Sequence, residues 1–379
     1  MRRTARLTAS LTAVVALSLG ATAVVGQSPS VVPGGPLDDS LVRDCAQGQT
    51  LGPKGETGTP MSDLSLTPDE VATLQAGDHT AALLWHISGD FTTAASQGVK
   101  DRLAELGIKV VAESDAGFDD AQQASQVETA MALNPDLVIT LVVNPVSGAA
   151  AFQKVVDTGA KLVLISNVPE GYEAGNQYVG TVSDDFFAMG RAAADLMGKG
   201  LGGSGKVGYI FHDATYYVTN QRDEAFKTVL AQCFPGIEIV AEAGITDPAK
   251  GQEIAAAMLL QHPDITGIYV TWDQPAEGVV AALRDAGRSD VKVVTLDLGA
   301  NNDLEMAKGG LVYGKAVDLT YDLGQAVATM GAYGLLDKPA PPFVMAPALE
   351  VTKDNLAAAY QQSWRVDPPA QVLEELNAQ

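Results

Sequence analysis

Polar and aromatic side chains recur just after the apolar segments that are expected to form buried strands. In open parallel sheets, ligands bind at the carboxyl ends of the strands, so these positions are where chemistry would be done. The positions are Ser88, Asp90, Phe91, Asn144, Ser166, Asn167, Tyr216, Tyr217, Asn220, Arg222, Thr246, Trp272, Asp273, Asp297 and Asp318. Aromatic faces stack on apolar C–H surfaces, whereas carboxylates, amides and an arginine hydrogen-bond hydroxyl groups. This combination favours a sugar or polyol as ligand.

Each position also has a plainer interpretation as a turn or helix-capping residue. Asp90, Asp273 and Thr246 stand where helices are expected to begin, so each is also a candidate N-cap. It is their joint occurrence at successive strand ends that favours a binding site.

The elements that position these residues alternate between strand and helix. The predicted strands are 81–86, 110–111, 137–143, 162–165 and 178–182, then 206–211, 238–241, 267–270 and 292–296. Continuous apolar strands separated by helices are typical of a parallel sheet covered on both faces. Because the rhythm restarts after 182, we predict an α/β fold of two doubly wound parallel-sheet lobes.

The lobe boundaries follow from this restart. We expect one lobe to comprise 80–182 and 318–345, and the other 183–317 and 346–365, followed by a tail at 366–379. The strand around 312–317 and the helix 323–334 are expected to return the chain to the first lobe.

Two nucleotide-binding patterns overlap in the glycine-rich stretch 198–206, in the wrong context. Gly198, Gly200 and Gly203 fit G-x-G-x-x-G, and 200–206 fits G-x-x-x-x-G-K. Such patterns bind phosphate where a strand ends and a helix begins, whereas here a helix precedes and a strand follows. The four histidines lack metal-ligand spacing, and no G-x-S-x-G motif indicates a nucleophile. We therefore expect neither a cofactor nor a metal.

The amino-terminal residues 1–26 have the pattern of an export signal. Arg2, Arg3 and Arg6 precede an uncharged apolar run at 11–25, which is shorter than the roughly 20 residues that span a bilayer. Cleavage would leave a soluble exported protein, with 27–79 as an irregular extension; an uncleaved anchor is the alternative. Removal of residues 1–26 changes the formal charge from −22 to −25. The field of such a charge repels nucleic acid and anionic membranes.

The two cysteines, Cys45 and Cys233, are a candidate disulfide. An even number of cysteines in an exported chain favours such a bond. The alternative is a pair of free thiols, since spacing alone does not bring the two together.

From about residue 80 to 351 the chain resembles the ribose-binding-protein branch of the type I periplasmic sugar-binding proteins. The resemblance rests on the loop 86–91, Asn144-Pro145, Asp185 with Gly190 and Arg191, Asn220-Gln221-Arg222, Trp272-Asp273, Leu296-Asp297 and Asp318. It implies that Phe91 stacks on the ligand and that Asn144 and Arg222 bond its hydroxyls.

Four departures from the family pattern fall in the implied pocket. Ser166-Asn167 replaces an Asp-Arg pair, Trp272 an amide, Thr246 an aromatic residue and Asp318 a glutamine. A site that hydrogen-bonds each hydroxyl rejects analogues that lack one. D-ribose is therefore in doubt, and another pentose, a hexose or a sugar alcohol is expected.

The resemblance also implies a mechanism and a partner. Two lobes joined by a three-stranded hinge, with crossings near 182, 317 and 346–349, would close on the ligand. A monomeric binding protein would then deliver it to the permease of an ABC transporter. Two other classes stay open: a sensory or signal-molecule receptor of the same fold, and a glycosidase that uses two of Asp273, Asp297 and Asp318.

Overall fold

The computed structural model describes Ala46 and residues 48–214 and 216–378. The predicted export signal and Cys45 lie outside the described residues, so signal cleavage and the pairing of Cys45 with Cys233 stay predictions. Within the described part, no helix combines the length and the apolarity needed to cross a bilayer.

The first lobe is built on a seven-stranded, all-parallel sheet. Its strands are β1 (Thr59–Pro60), β2 (Thr80–Trp85), β3 (Lys109–Asp115), β4 (Leu137–Thr140), β5 (Lys161–Ile165), β6 (Thr181–Asp184) and β12 (Phe343–Ala346), in the spatial order β1-β12-β6-β5-β4-β2-β3. Its helices are α1 (Pro68–Ala76), α2 (Asp90–Glu105), α3 (Asp120–Met131), α4 (Pro145–Thr158) and α10 (Thr320–Leu335). At α1, Thr67 and Glu70 form a reciprocal capping box.

The second lobe carries a six-stranded sheet. Its strands are β7 (Ser204–His212), β8 (Gly236–Ile245), β9 (Gly267–Val270), β10 (Lys292–Leu296), β11 (Val312–Asp318) and β13 (Ala348–Val351), in the spatial order β13-β11-β10-β9-β7-β8. Its helices are α5 (Phe186–Gly200), α6 (Tyr217–Cys233), α7 (Gly251–Gln261), α8 (Asp273–Asp285), α9 (Ala300–Ala307), α11 (Leu356–Ser363) and α12 (Ala370–Asn377). Each sheet is covered on both faces by apolar clusters, which form the cores.

The structure differs from the sequence-based expectation at four places. The edge strand β3 is seven residues long, whereas the predicted strand is 110–111. Its burial alternates along the strand, so no continuous apolar run indicates its length in the sequence. β11 belongs to the second sheet, so only the helix that follows it returns to the first lobe. β13 runs antiparallel to β11, so the second sheet is not wholly parallel. The stretch 366–379 is not a separate tail, because Val372 of α12 lies in the second core.

Three single residues connect the two lobes. Asp185 separates β6 from α5, Leu319 separates β11 from α10, and Pro347 separates β12 from β13. Within the first sheet Asp184 pairs with Ala346, and within the second sheet Asp318 pairs with Ala348. Since these pairs end β6, β11 and β12, all three crossings lie at the carboxyl ends of parallel strands. The carboxyl edges of the two sheets therefore meet at the hinge.

Residues 48–66, here called the strap, contact both lobes. The Thr50 hydroxyl donates to Asp185 Oδ1 at 2.5 Å and accepts from the backbone N–H of Phe187 at 2.7 Å. The carbonyl of Leu51 accepts a hydrogen bond from the Tyr217 hydroxyl in the second lobe. On the other side, β1 pairs with β12 of the first lobe. The strap thus bridges the lobes next to the Asp185 crossing.

A buried ion pair supports the second lobe beneath its carboxyl edge. Lys315 and Asp303 have no solvent-exposed side-chain surface, and Lys315 Nζ lies 2.6 Å from Asp303 Oδ1. Asp303 Oδ2 accepts from the backbone N–H of Gly299 at 2.9 Å and from the Tyr360 hydroxyl at 2.7 Å. These bonds tie β11, α9 and α11 together.

We predict that Thr50→Val destabilises the fold by about 1–3 kcal/mol, because it leaves the partly buried amide of Phe187 without its acceptor and removes one of the two hydrogen bonds that Asp185 Oδ1 accepts. Urea unfolding followed by far-UV circular dichroism measures the change. Thr73→Val is the matched control, since the exposed Thr73 hydroxyl bonds only to its own helix. Equal midpoints for the two variants would contradict the role given to Thr50.

We predict that Lys315→Met lowers the free energy of unfolding by about 3–5 kcal/mol, because it leaves the Asp303 carboxylate buried without its counter-ion. Adding Asp303→Asn should recover part of that loss, since it removes the unpaired charge and keeps an acceptor for Gly299 and Tyr360. Denaturation midpoints of the single and double variants provide the comparison. A double variant less stable than Lys315→Met would show that the ion pair is not the cause.

Candidate functional site

The predicted site residues lie at the topological switch points of the two sheets. In the first lobe β3 lies on one side of β2 and β4 on the other, and in the second lobe β8 lies on one side of β7 and β9 on the other. The switch point is therefore between β2 and β4 in the first lobe and between β7 and β9 in the second. Ligands of doubly wound sheets bind in the crevice at such points.

An arginine–aspartate pair forms the centre of the second-lobe site. Arg222, in the first turns of α6, is 5% exposed and donates from both terminal nitrogens to the Asp297 carboxylate, at 3.1 and 3.2 Å. It also donates to the carbonyl of Thr271 at 2.9 Å, while its Nε–H is buried and lacks a partner among the described residues. Such a bidentate pair fixes the guanidinium plane and the carboxylate orientation.

Each lobe has one residue with positive φ at the equivalent position, directly after a strand. Ser166 follows β5 with φ +53°, and Asp297 follows β10 with φ +66°. Residues other than glycine rarely adopt this conformation, and such strain clusters at binding sites. The Ser166 hydroxyl is 3.0 Å from that of Ser183, so it is held within the first lobe.

Two buried acids meet at the hinge, and we call Asp184 and Asp318 the hinge acids. Both are 6% exposed. Burial, with the nearby charge of Asp297, raises the pKa of Asp318 to about 7. Burial and the charges of Asp318 and Asp297 also raise the pKa of Asp184, whose Oδ1 has no partner among the described residues. Sequence reasoning missed Asp184; its place as a buried acid ending a strand was the available signal.

A further acid, Asp273, begins α8 behind an extended Trp272. Burial and the charge of Asp297 raise the pKa of Asp273 to about 7, and its carboxylate lies against the backbone of Gly299. Trp272, which precedes the helix as its N-cap residue, packs edge-on against His212 with ring centroids 5.2 Å apart. Asp273 is thus the first helical residue rather than the cap.

Tyr216 links the lobes across the cleft. Its hydroxyl is 3.5 Å from Asn167 Nδ2 of the first lobe, and its ring lies 6.0 Å from that of His212. Asn167 Nδ2 also donates to the carbonyl of Val142 at 2.8 Å. The neighbouring Tyr217 faces away from this group, because it packs on Phe186 and bonds to the strap.

The remaining predicted residues divide between exposed positions and local bonding. Ser88, Asp90 and Thr246 are exposed, and the residues that precede or follow Asp90 and Thr246, rather than these two, act as caps. Asn144 is exposed and caps α4 by accepting from the N–H groups of Val146 and Ser147. Asn220 accepts from the backbone N–H of Tyr216, closing the turn before α6.

Phe91 lies beside a buried histidine that sequence reasoning did not include in the site. The rings of His86 and Phe91 are 6.3 Å apart in an edge arrangement, and Phe118 lies 5.2 Å from His86. Burial lowers the pKa of His86 to about 4, so the imidazole is neutral at pH 7. Its Nδ1 has no partner among the described residues, which makes it an additional polar group at the first switch point.

We predict that Asp318 lowers stability as the pH rises. Its folded pKa of about 7 exceeds the value of 3.8 for a free aspartate, so its stabilising contribution is complete below about pH 4 and is lost as the pH passes 7. The melting temperature of the wild type should therefore fall, relative to that of Asp318→Asn, between pH 4 and 7.5. The corresponding change in the free energy of unfolding is on the order of a few kcal/mol. Parallel curves would contradict the raised pKa.

The chain was compared with known proteins. The model of the periplasmic binding protein domain family matches residues 81–338. The D-ribose/D-allose-binding protein of Pseudomonas aeruginosa is 28% identical over 224 residues, covering 57% of this chain and 70% of that protein. The xylitol-binding protein of Mycolicibacterium smegmatis is 27% identical over 280 residues, covering 72% and 76%.

Solved structures show the same fold. The arabinose-binding protein of Geobacillus stearothermophilus superposes with a TM-score of 0.67 at 21% identity, covering 74% of this chain and 98% of that structure. The predicted two-lobe α/β fold and the predicted family are thereby confirmed. The chain belongs to the periplasmic binding protein family of ABC sugar transport, whose members are substrate-binding proteins and not enzymes.

Proposed function

We propose that this chain is an exported solute-binding protein that captures a monosaccharide or sugar alcohol between its lobes and delivers it to an ABC permease. The observation that carries the proposal is the approach of two switch points at one hinge. Arg222, Asp297 and Asp318 contribute from the second lobe, and Asn167 and Phe91 from the first. The names of the relatives support a pentose, hexose or polyol, because they include ribose, allose and xylitol.

The hinge geometry supports the proposed closure of the lobes. We assign the hinge to Asp185, Leu319 and Pro347, because each is a single residue between an element of one lobe and an element of the other. A few residues that change φ and ψ are sufficient for domain closure. A ligand that contacts both lobes then favours the closed state by its extra contacts there.

Ligand contacts with both lobes would add to the few contacts that the lobes make across the cleft. Among them, one long hydrogen bond joins Asn167 and Tyr216 across the cleft. Charge-assisted bonds from Arg222 and Asp297 to ligand hydroxyls would each contribute about 1.5–3 kcal/mol. Several such bonds and one stacked ring are consistent with micromolar affinity, which corresponds to about −8 kcal/mol.

Family membership and the amino-terminal sequence support the proposed delivery to a permease and the proposed location. Members of the family act outside the cytoplasmic membrane, and residues 1–26 have the composition of an export signal. We propose that the mature protein is a monomer that presents its closed form to the permease. No observation favours the sensory alternative over transport.

A thermal-shift screen against pentoses, hexoses, polyols and inositols tests the proposal. A ligand at a hundred times its dissociation constant stabilises the folded state by about 2.7 kcal/mol, a readily measured shift. We predict that Arg222→Lys weakens binding of the best ligand at least tenfold, because a lysine does not reproduce the bidentate geometry.

Arg288→Lys is the matched control for this variant. Arg288 also makes a bidentate pair, with Asp290, and donates to two carbonyl groups in the same lobe, but it precedes β10 and so lies at the opposite end of the sheet. Its substitution should leave the ligand affinity unchanged. If no sugar or polyol shifts the melting temperature, or if both arginine variants lose affinity equally, the proposed site is wrong.

A further inference from the structure

The carboxyl edge of the second lobe holds more buried carboxyl groups than its buried cations can pair with. Arg222 is engaged by Asp297, and Lys315 by Asp303. Asp318 is left beside these pairs without an ion-pair partner among the described residues.

Asp184 adds a second acid at the same point from the other lobe. It ends β6 and pairs with Ala346, and Asp318 ends β11 and pairs with Ala348. The single residue Pro347 connects those two partners, so the hinge acids lie on either side of one crossing. Each also acts electrostatically on the group formed by Asp297 and Arg222.

An unsatisfied atom at this place points to a missing partner. Asp184 Oδ1 is buried and accepts no hydrogen bond in the described part of the chain, and the residue is 6% exposed. Buried carboxylates are stable when they are paired with a cation or fully hydrogen-bonded. A hydroxyl group would supply a hydrogen bond without balancing the charge of two carboxylates.

We propose that the ligand carries a protonated amine, as an amino sugar or aminated polyol does, and that the hinge acids hold its ammonium group. This inference rests on the proposed function and specifies its ligand class. An ammonium group offers three donors and one positive charge, which matches two acids that have no ion-pair partner among the described residues. The remaining hydroxyls of the ligand would face Arg222, Asp297 and Asn167.

The hinge position also makes an ammonium group effective in closure. Asp184 belongs to the sheet of the first lobe and Asp318 to that of the second. A cation between them draws together residues of both lobes and offsets the repulsion of two like charges. A neutral ligand leaves that repulsion in place, unless the acids bind a proton.

Matched ligand pairs test the inference on the full mature chain at pH 7.5 and low salt. The pairs are D-glucosamine with D-glucose, D-galactosamine with D-galactose, and D-glucamine with D-sorbitol, measured by isothermal titration calorimetry. We expect at least one amine to bind ten times more tightly than its neutral parent. N-acetyl-D-glucosamine, which is uncharged, should lose the advantage of D-glucosamine.

Variants then assign the effect to the hinge. Asp318→Asn should reduce the affinity for the preferred amine at least tenfold more than it reduces the affinity for the neutral parent, while Asp318→Glu retains the preference. Asp264→Asn is the control for net charge, because Asp264 pairs with Lys206 at the far end of the same lobe. Melting curves establish that each variant is folded.

The outcomes separate the inference from the function on which it rests. If neutral sugars or polyols bind and no amine binds more tightly, the ammonium inference fails and the proposed function stands. An equal effect of Asp318→Asn on amine and neutral parent also overturns it. If no sugar, polyol or amine binds, both proposals fail.

Discussion

Everything at the site depends on one constraint: the chain crosses between its two sheets three times, always at the carboxyl ends of strands. Each crossing is one residue long, so the sheets cannot turn their other edges toward each other. The loops that follow the parallel strands of both lobes are therefore brought to a common cleft. A single doubly wound sheet offers one switch point; this arrangement brings two of them to the same cleft.

The same constraint explains why so much charge is buried there. A residue that ends a strand at a crossing is covered by both lobes, as Asp184 and Asp318 are. Burial raises the pKa of a carboxyl group unless a cation or hydrogen bonds compensate. Arg222 compensates Asp297, and Lys315 compensates Asp303. The hinge acids Asp184 and Asp318 have no such partner among the described residues, and neither has Asp273 at the start of α8.

Sequence reasoning succeeds where a pattern is local and fails where tertiary pairing decides. Continuous apolar runs predict the central strands, and the strand–helix alternation predicts two parallel sheets. The prediction for β3 is too short because an edge strand needs no continuous apolar run. The antiparallel direction of β13 is not predictable from local sequence because its partner strand lies 30 residues earlier in the chain. Tyr217 shows the limit for a side chain: its position suits the cleft, but the strap supplies its bonding partner.

The strap affects how the cleft can move. It is bound to the second lobe by Thr50 and Leu51 and to the first by β1, and its path runs beside Asp185. A connection far from the hinge would stretch on opening and oppose it, whereas one beside a crossing changes little in length. The strap is therefore a fourth connection between the lobes, placed beside the Asp185 crossing. The choice between the open and closed states falls to the balance between cleft charges and ligand, because a ligand shifts the equilibrium only by its differential affinity for the two states.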